Sequence, residues 1–217
     1  MKRIFVVDDH PMLREGILRQ VESTPGLQVC GEAATAKDAF QEIQRELPDL
    51  VLMDISLPDK SGLELIKDLQ SFVPQVAILV FSMHDEILYA ERVMRAGAKG
   101  YLMKGAGSDK LKEAIQRVLS GELYLSSKIS TQIINGLSGK NSANLGLRRL
   151  SDRELEIFDL IGRGHTNMQI AEKLHISVRT VDAHRTNIKA KLNLADGASL
   201  VRKAILWVED DSKEYRP

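Results

Sequence analysis

A chain of 217 residues, 43% hydrophobic and 28% charged, can bury two modest cores and is too apolar for an intrinsically disordered protein. Its formal net charge of +0 hides a division: residues 1–120 carry 18 acidic against 15 basic side chains, whereas 146–208 carry 11 basic against 7 acidic, so only the second half suits a polyanion. Cys30 stands alone, which excludes an internal disulfide, and it reads as a small core residue. The opening "MKRIFVVDD" is too poor in apolar residues for a signal peptide, and no run is long enough to span a bilayer, so a cytoplasmic protein without membrane contact is expected.

Strand-like runs at Ile4–Val7, Leu27–Gly31, Leu50–Met53, Val76–Phe81 and Gly100–Met103 alternate with segments of helical periodicity. The helical stripes run through Met12, Leu13, Ile17, Leu18 and Val21; then Ala39, Phe40, Ile43 and Leu47; then Leu63, Leu65, Ile66 and Leu69. Two more carry Ile87, Leu88, Val93 and Met94, then Leu111, Ile115, Val118 and Leu119. Ser61 and Ser108 stand where N-caps are wanted, Gly97 and Gly121 where helices stop. Strictly alternating strands and helices predict right-handed crossovers and a five-stranded, doubly wound parallel sheet, an α/β domain over 1–122. Ile129, Ile133 and Leu137 suggest one short helix within a linker, 123–146, whose stretch "SGKNSANLG" (138–146) reads as flexible. Four helical segments follow, 151–163, 167–174, 178–192 and 196–208, with no strand between them. They predict an all-α domain over 147–211, with 212–217 as a tail.

Four strands end on reactive groups. Asp8 and Asp9 follow the first, and Asp54 follows "LVLM"; Ser82 follows "ILVF" and Lys104 follows "GYLM" at the ends of the last two. In the flavodoxin-like order 2-1-3-4-5, taken over here rather than deduced, the first and third strands are neighbours and their three acids share one crevice. Crowded carboxylates repel unless a cation joins them, and oxygen ligands at an open, wet edge suit Mg²⁺. A hydroxyl and an ammonium opposite such a site are what an incoming phosphoryl group needs.

Residues 1 to about 122 resemble the receiver domain of bacterial two-component response regulators, through "VVDDHP", "LVLMDISLPDKSGLEL", Ser82 and "AGAKGYLMK". The resemblance implies that Asp54 accepts a phosphoryl group from a histidine kinase. It implies Mg²⁺ held by Asp9, Asp54 and the backbone carbonyl of Ser56, with Asp8 acting through water. Lys104 and Ser82 would contact the phosphoryl oxygens, and Tyr101 matches an aromatic residue that turns inward when that hydroxyl moves. One departure is "KGAG" after Lys104, where proline often follows the lysine; its two glycines suggest a looser linkage.

In the basic half, Ser151 and Glu154 form a capping-box pattern, Gly162 and Gly164 are expected to end the first helix, and Thr166 and Ser177 to cap the next two. Two short helices joined by a tight turn, the second of them basic, follow helix-turn-helix logic. On the 178–192 segment Val181, Ile188 and Leu192 repeat at core spacing with His184 beside them, leaving Asp182, Ala183, Arg185, Thr186 and Lys189 outward. Arg179, Thr180 and these outward residues are the candidate contacts to double-stranded promoter DNA, with Arg179, Arg185, Lys189 and Lys191 suited to phosphates. Through "TNMQIAEKL", "IS", "TV", "H", "NI" and "KL" this stretch is similar to the LuxR-type helix-turn-helix of NarL/FixJ response regulators. Gln169 departs from the usual glutamate and Asp182 from a frequent lysine. The resemblance also implies a homodimer when phosphorylated, with Leu200, Ala204 and Trp207 on a last helix that pairs two copies; for Trp207, packing on its own domain is the equal alternative.

The resulting expectation is a DNA-binding transcriptional regulator, not an enzyme, in which phosphorylation of Asp54 relieves masking of the basic half. One alternative keeps the receiver unphosphorylated and the DNA binding constitutive. The other is a Mg²⁺-dependent phosphohydrolase, which wants a second acid two residues after its aspartate, where Ser56 stands. The histidines, His10 and His84 included, show no zinc spacing and are expected to be structural or exposed.

Overall fold

In a computed structural model of the protein, which describes residues 1–84, 86–127, 129–131 and 146–213, the chain divides into two compact units, Met1–Ser138 and Gly139–Pro217. The first contains β1 (Lys2–Val7), α1 (Pro11–Glu22), β2 (Leu27–Ala33), α2 (Ala36–Glu46), β3 (Leu50–Met53), α3 (Gly62–Phe72), β4 (Ala77–Ser82), α4 (Glu86–Ala96), β5 (Gly100–Met103) and α5 (Ser108–Leu119). All strand pairs are parallel, in the order β2-β1-β3-β4-β5.

The strands read as continuous apolar runs because both faces of the sheet are covered. Ile4, Val6, Leu50, Leu52, Leu79, Phe81 and Leu102 meet Ile17 and Val21 of α1 and Leu111, Ile115 and Val118 of α5. The alternate residues Phe5, Val7, Val51, Met53, Ile78, Val80 and Tyr101 are as deeply buried on the other face, the side of α2, α3 and α4.

Register decides what reaches the carboxyl edge. Val7 pairs with Met53, and Met53 with Val80, so Asp8 and Asp54 leave adjacent strands at the same level. Ser82 pairs with Met103, which sets Lys104 just beyond the same edge. Immediately after β3 the chain doubles back tightly: a Cβ on Gly62 would lie 2.6 Å from the carbonyl oxygen of Asp54 and 2.7 Å from Cα of Ile55. Gly62 is therefore required by close approach to the Asp54 loop.

Several local expectations are corrected. Met12 is 89% exposed, because Leu13, Ile17 and Val21 form the i, i+4, i+8 stripe and Met12 lies off it. Leu47 ends α2 in a left-handed conformation (φ 45°) and is half exposed; Pro48 disfavours a further helical residue there. Ser61 occupies the N-cap of α3 without a side-chain capping bond, and Ser108 is already helical, with Gly107 (φ 87°) preceding it. Residues Lys104–Ala106 form a single 3-10 turn. Cys30 is half-buried rather than a core residue. Ser127 and Ile129–Thr131 are helical, while Ile133, Leu137 and the expected linker residues 138–145 lie outside the described residues.

The second unit has a 3-10 turn at Leu147–Arg149, then α6 (Asp152–Gly162), α7 (Asn167–Lys173), α8 (Val178–Lys191) and α9 (Gly197–Lys213). Capping chemistry sets its helix starts. Ser151 and Glu154 form a reciprocal capping box, Thr166 and Gln169 form another, and Ser177 accepts from the Thr180 amide. Gln169 thus does the capping work of the glutamate it departs from. Gly164 (φ 83°) lies past the end of α6, but Gly162 is inside it: a Cβ there would come within 2.4 Å of the Ala204 carbonyl oxygen of α9. Helix α9 runs beyond the expected residue 208, into the expected tail, because no glycine or proline follows Gly197 until Pro217.

Candidate functional site

Asp54 is 4% exposed and both of its carboxylate oxygens are engaged. Oδ1 accepts from Ser82 Oγ (2.7 Å) and from the amides of Ile55 (2.6 Å) and Ser56 (3.3 Å). Oδ2 accepts from Lys104 Nζ at 2.6 Å, and the same ammonium reaches Asp8 Oδ2 at 2.7 Å. Burial alone would push the Lys104 ammonium down, but attraction to Asp54 and Asp8 and the hydrogen bonds it donates to them hold it above the ordinary lysine value.

One ligand atom from each of Asp8, Asp9, His10 and Asp54 lies within 4.8 Å of the others. Asp8 Oδ1 accepts from the His10 amide at 2.8 Å. Asp9 Oδ1 lies 2.7 Å from His10 Nδ1, outside hydrogen-bonding direction, so this buried oxygen accepts no hydrogen bond. Three carboxylates against one ammonium, with a buried oxygen lacking a donor, form an acidic pocket that fits a hard divalent cation.

Ser56, the residue whose carbonyl the resemblance assigns to metal, uses its side chain otherwise: its Oγ lies 2.6 Å from Nε2 of His84. The His84 ring packs on Tyr89 at 4.8 Å between centroids, and its carbonyl accepts from the Tyr101 hydroxyl at 2.7 Å. Tyr101 is 1% exposed, so the buried ring and the Ser82–Asp54 hydrogen bond occur together.

In the second unit, Arg179, Thr180, Asp182, Ala183 and Thr186 are exposed on α8, and Arg185 and Lys189 are half-buried, so all seven candidate contacts lie on one accessible helix. Three polar groups have local partners: Thr180 shares a 2.7 Å hydrogen bond with Ser177, Thr186 donates to the Asp182 carbonyl, and Asp182 accepts from Asn167 Nδ2 at 2.6 Å. Lys191 is withdrawn from the phosphate-contacting set, because its Nζ lies 2.6 Å from Glu154 Oε2. Leu200 and Ala204 are fully buried and Trp207 half-buried; the exposed large apolar residues among the described residues of α9 are Ile205 (37%) and Leu206 (51%).

Residues 4–116 match the response regulator receiver domain, and residues 148–204 match the bacterial regulatory proteins of the luxR family. The chain belongs to the NarL/FixJ-type response regulators. This response regulator is 37% identical to the oxygen regulatory protein NreC of Staphylococcus carnosus (strain TM300), over 94% of its own length and 96% of that protein. It is 38% identical to the NreC protein of Staphylococcus aureus (strain MRSA252), over the same shares. Among solved structures, a two-component response regulator of the LuxR family from Aurantimonas sp. SI85-9A1 is 36% identical with a TM-score of 0.60, matching 64% of this chain and 99% of that one. RcsB of Salmonella typhimurium, 21% identical over 94% of this chain and 96% of its own, shares the fold with a TM-score of 0.69. The response regulator joins a receiver domain to a LuxR-type DNA-binding domain and is a DNA-binding transcription regulator. No described helix is long and apolar enough to cross a membrane.

Four residues carry contacts that the motifs do not point to. His84 and His10 show no zinc spacing, yet each sits within two residues of a strand-end polar group, and that adjacency is the signal the sequence offers. Asn167 and Glu86 gave no signal, because their partners are 15 and 40 residues away.

Proposed function

We propose that Asp54 takes the phosphoryl group of a histidine kinase and that this event controls promoter binding by the second unit. What supports the reading above all is the single carboxylate of Asp54 meeting Ser82, Lys104 and the Asp8–Asp9 pair at one strand edge. A carboxylate oxygen of Asp54 forms the new P–O bond as the P–N bond of the kinase phosphohistidine breaks. Ser82 and Lys104, both now on Asp54 oxygens, are within reach of phosphoryl oxygens built on that carboxylate. Asp8, Asp9, Asp54 and the carbonyl of Ser56 would hold Mg²⁺, which supplies neutralisation of the charge on the transferring group. The His10 imidazole stands beside the same pocket.

The proposed divisions are a receiver over 1–122, a linker over 123–146, and a helix-turn-helix domain from 147 whose last helix runs to Lys213, past the expected boundary at 211, before the tail. Helix α8 enters the major groove with Arg179, Thr180, Asp182, Ala183, Arg185, Thr186 and Lys189 against the DNA, in a homodimer formed on phosphorylation, in the cytoplasm. In the unphosphorylated protein the receiver masks α8 or α9. The test is incubation of the intact protein with a small-molecule phosphodonor, followed by intact-mass measurement and DNA titration. The wild type should gain one base-labile phosphoryl group only with Mg²⁺ present, and bind DNA more tightly. Asp54→Asn should do neither; a phosphoryl group surviving in that variant would overturn the assignment.

A further inference from the structure

The helix that starts at Ser127 carries an unusual cap. Ser126 stands at its N-cap: the Ile129 amide donates to Ser126 Oγ at 3.3 Å and the Ser130 amide to the Ser126 carbonyl at 3.0 Å. In a capping box the third helical residue is glutamate or glutamine, whose side chain accepts from the N-cap amide. Here that residue is Ile129, 3% exposed and spent on packing. The Ser126 amide instead donates to Glu86 Oε1 at 2.8 Å, across 40 residues. Glu86 is 6% exposed while Ser126 is exposed, so the bond is part-buried.

Glu86 is the first residue of α4, and the loop before it is the switch end of the site. Ser82 donates to Asp54, the His84 amide approaches Ser82 Oγ at 3.4 Å, and the His84 carbonyl accepts from Tyr101. The segment just before Ser126 has a different anchor: Tyr124 pairs with β5 through its amide to Lys99 (3.0 Å) and its carbonyl to Tyr101 (2.9 Å). One end of this connection is thus fixed to the sheet, and the next turn is fixed to the start of α4.

We infer that Glu86 is a latch that caps the first turn after the receiver in trans, so that this turn is helical only while the start of α4 holds its present position. Movement of the β4–α4 loop, when Ser82 follows a phosphoryl group at Asp54, draws Glu86 from the Ser126 amide and loosens the head of the linker. This regulatory half rests on the Asp54 reading above; the capping half does not.

Hydrogen exchange on the full-length protein, read in peptides covering 125–131, tests both halves. In the unmodified protein Glu86→Ala should speed exchange there roughly five- to tenfold, the loss expected for one cap whose amide is only part-buried. Glu86→Gln, which keeps an acceptor oxygen, should restore most of the protection, and strand β3 should exchange as in the wild type in both. Unchanged exchange in Glu86→Ala, or a uniform rise through the whole first unit, overturns the latch. A phosphodonor with Mg²⁺ should deprotect 125–131 in the wild type and add nothing in Glu86→Ala. If intact mass shows the acyl phosphate while 125–131 stays protected, the regulatory half fails although Asp54 stands. If no phosphoryl group appears at all, the Asp54 reading fails and takes the regulatory half with it.

Discussion

Lys104→Ala tests how the acidic pocket is held together. The ammonium is 2.6 Å from Asp54 and 2.7 Å from Asp8, and all three side chains are 2–4% exposed. Removing one partner of a buried ion pair costs about 3–5 kcal/mol, mostly as the burden of the charge left behind. Here two carboxylates are stranded and also repel each other, so the upper part of that range is expected in buffer without divalent ions. Asp54→Asn should partly rescue Lys104→Ala, because it removes one of the stranded charges, although in the wild type it removes a favourable partner. Mg²⁺ at tenfold its dissociation constant should return about 1.4 kcal/mol to Lys104→Ala, by mass action on the folded state. Hydrogen exchange of the Leu52 and Leu79 amides under increasing urea reads this unit alone. A loss below about 1 kcal/mol, with no response to Mg²⁺ and no rescue by Asp54→Asn, would show that Lys104 is not the buried counter-ion of the pocket.

Gly162→Ala gains up to about 1 kcal/mol of helix propensity but drives a Cβ into the Ala204 carbonyl at 2.4 Å, an overpacking cost of about 1–3 kcal/mol; net loss of second-unit stability, read by fluorescence of the sole tryptophan Trp207, is expected, and net gain would refute the close approach. Burial pushes the Glu154 carboxyl up, yet hydrogen bonds from Lys191 and Ser151 hold it below the ordinary value of 4.5, so its stabilisation is present above that value and is lost as pH falls through the depressed one. Lys191→Met should flatten this acid limb in a Trp207-monitored titration without removing the basic charges at Arg179 or Arg185. Asp182→Lys should raise the affinity of the 147–217 fragment for every DNA sequence and steepen its salt dependence by roughly one phosphate contact, while losing the Asn167 bond; a fall of about 1–3 kcal/mol confined to a selected site would instead mark Asp182 as a base acceptor.

The sheet was legible because its strands are apolar on both faces and its helices on one, and these two periods do not resemble each other. The pocket was legible for a related reason: Asp8, Asp54, Ser82 and Lys104 are polar residues placed where apolar runs stop, and the register of parallel strands aligns those stops. Contacts that depend on tertiary distance left no trace in one dimension. Gly62 and Gly162 look like turn formers until the facing backbone is known. Lys191 looks like any basic residue on a DNA-reading helix until Glu154 is found beside it. His84 carries no motif, because its partners Ser56, Tyr89 and Tyr101 come from three different elements.

The pocket geometry also bounds what phosphorylation can achieve. Ser82 donates to Asp54 while Tyr101 is buried with its hydroxyl on the His84 carbonyl, so burial of the ring does not require Ser82 to leave Asp54. Ring burial alone therefore does not mark the phosphorylated state. The pocket's own contribution comes from the difference between the bonds Ser82 and Lys104 make to Asp54 and those they would make to phosphoryl oxygens. Hydrogen bonds involving a charged group contribute about 1.5–3 kcal/mol each, and here two are exchanged rather than newly formed. The surplus is about 1.5–3 kcal/mol in all, which corresponds to roughly a ten- to hundredfold gain in DNA affinity within a single chain. Titration of a half-site at protein concentrations too low for pairing should show a phosphorylation effect inside that bound. A larger effect that grows with protein concentration on a paired site would place the remainder in dimer formation. A larger effect that is independent of concentration would mean that elements outside the pocket contribute switching energy of their own.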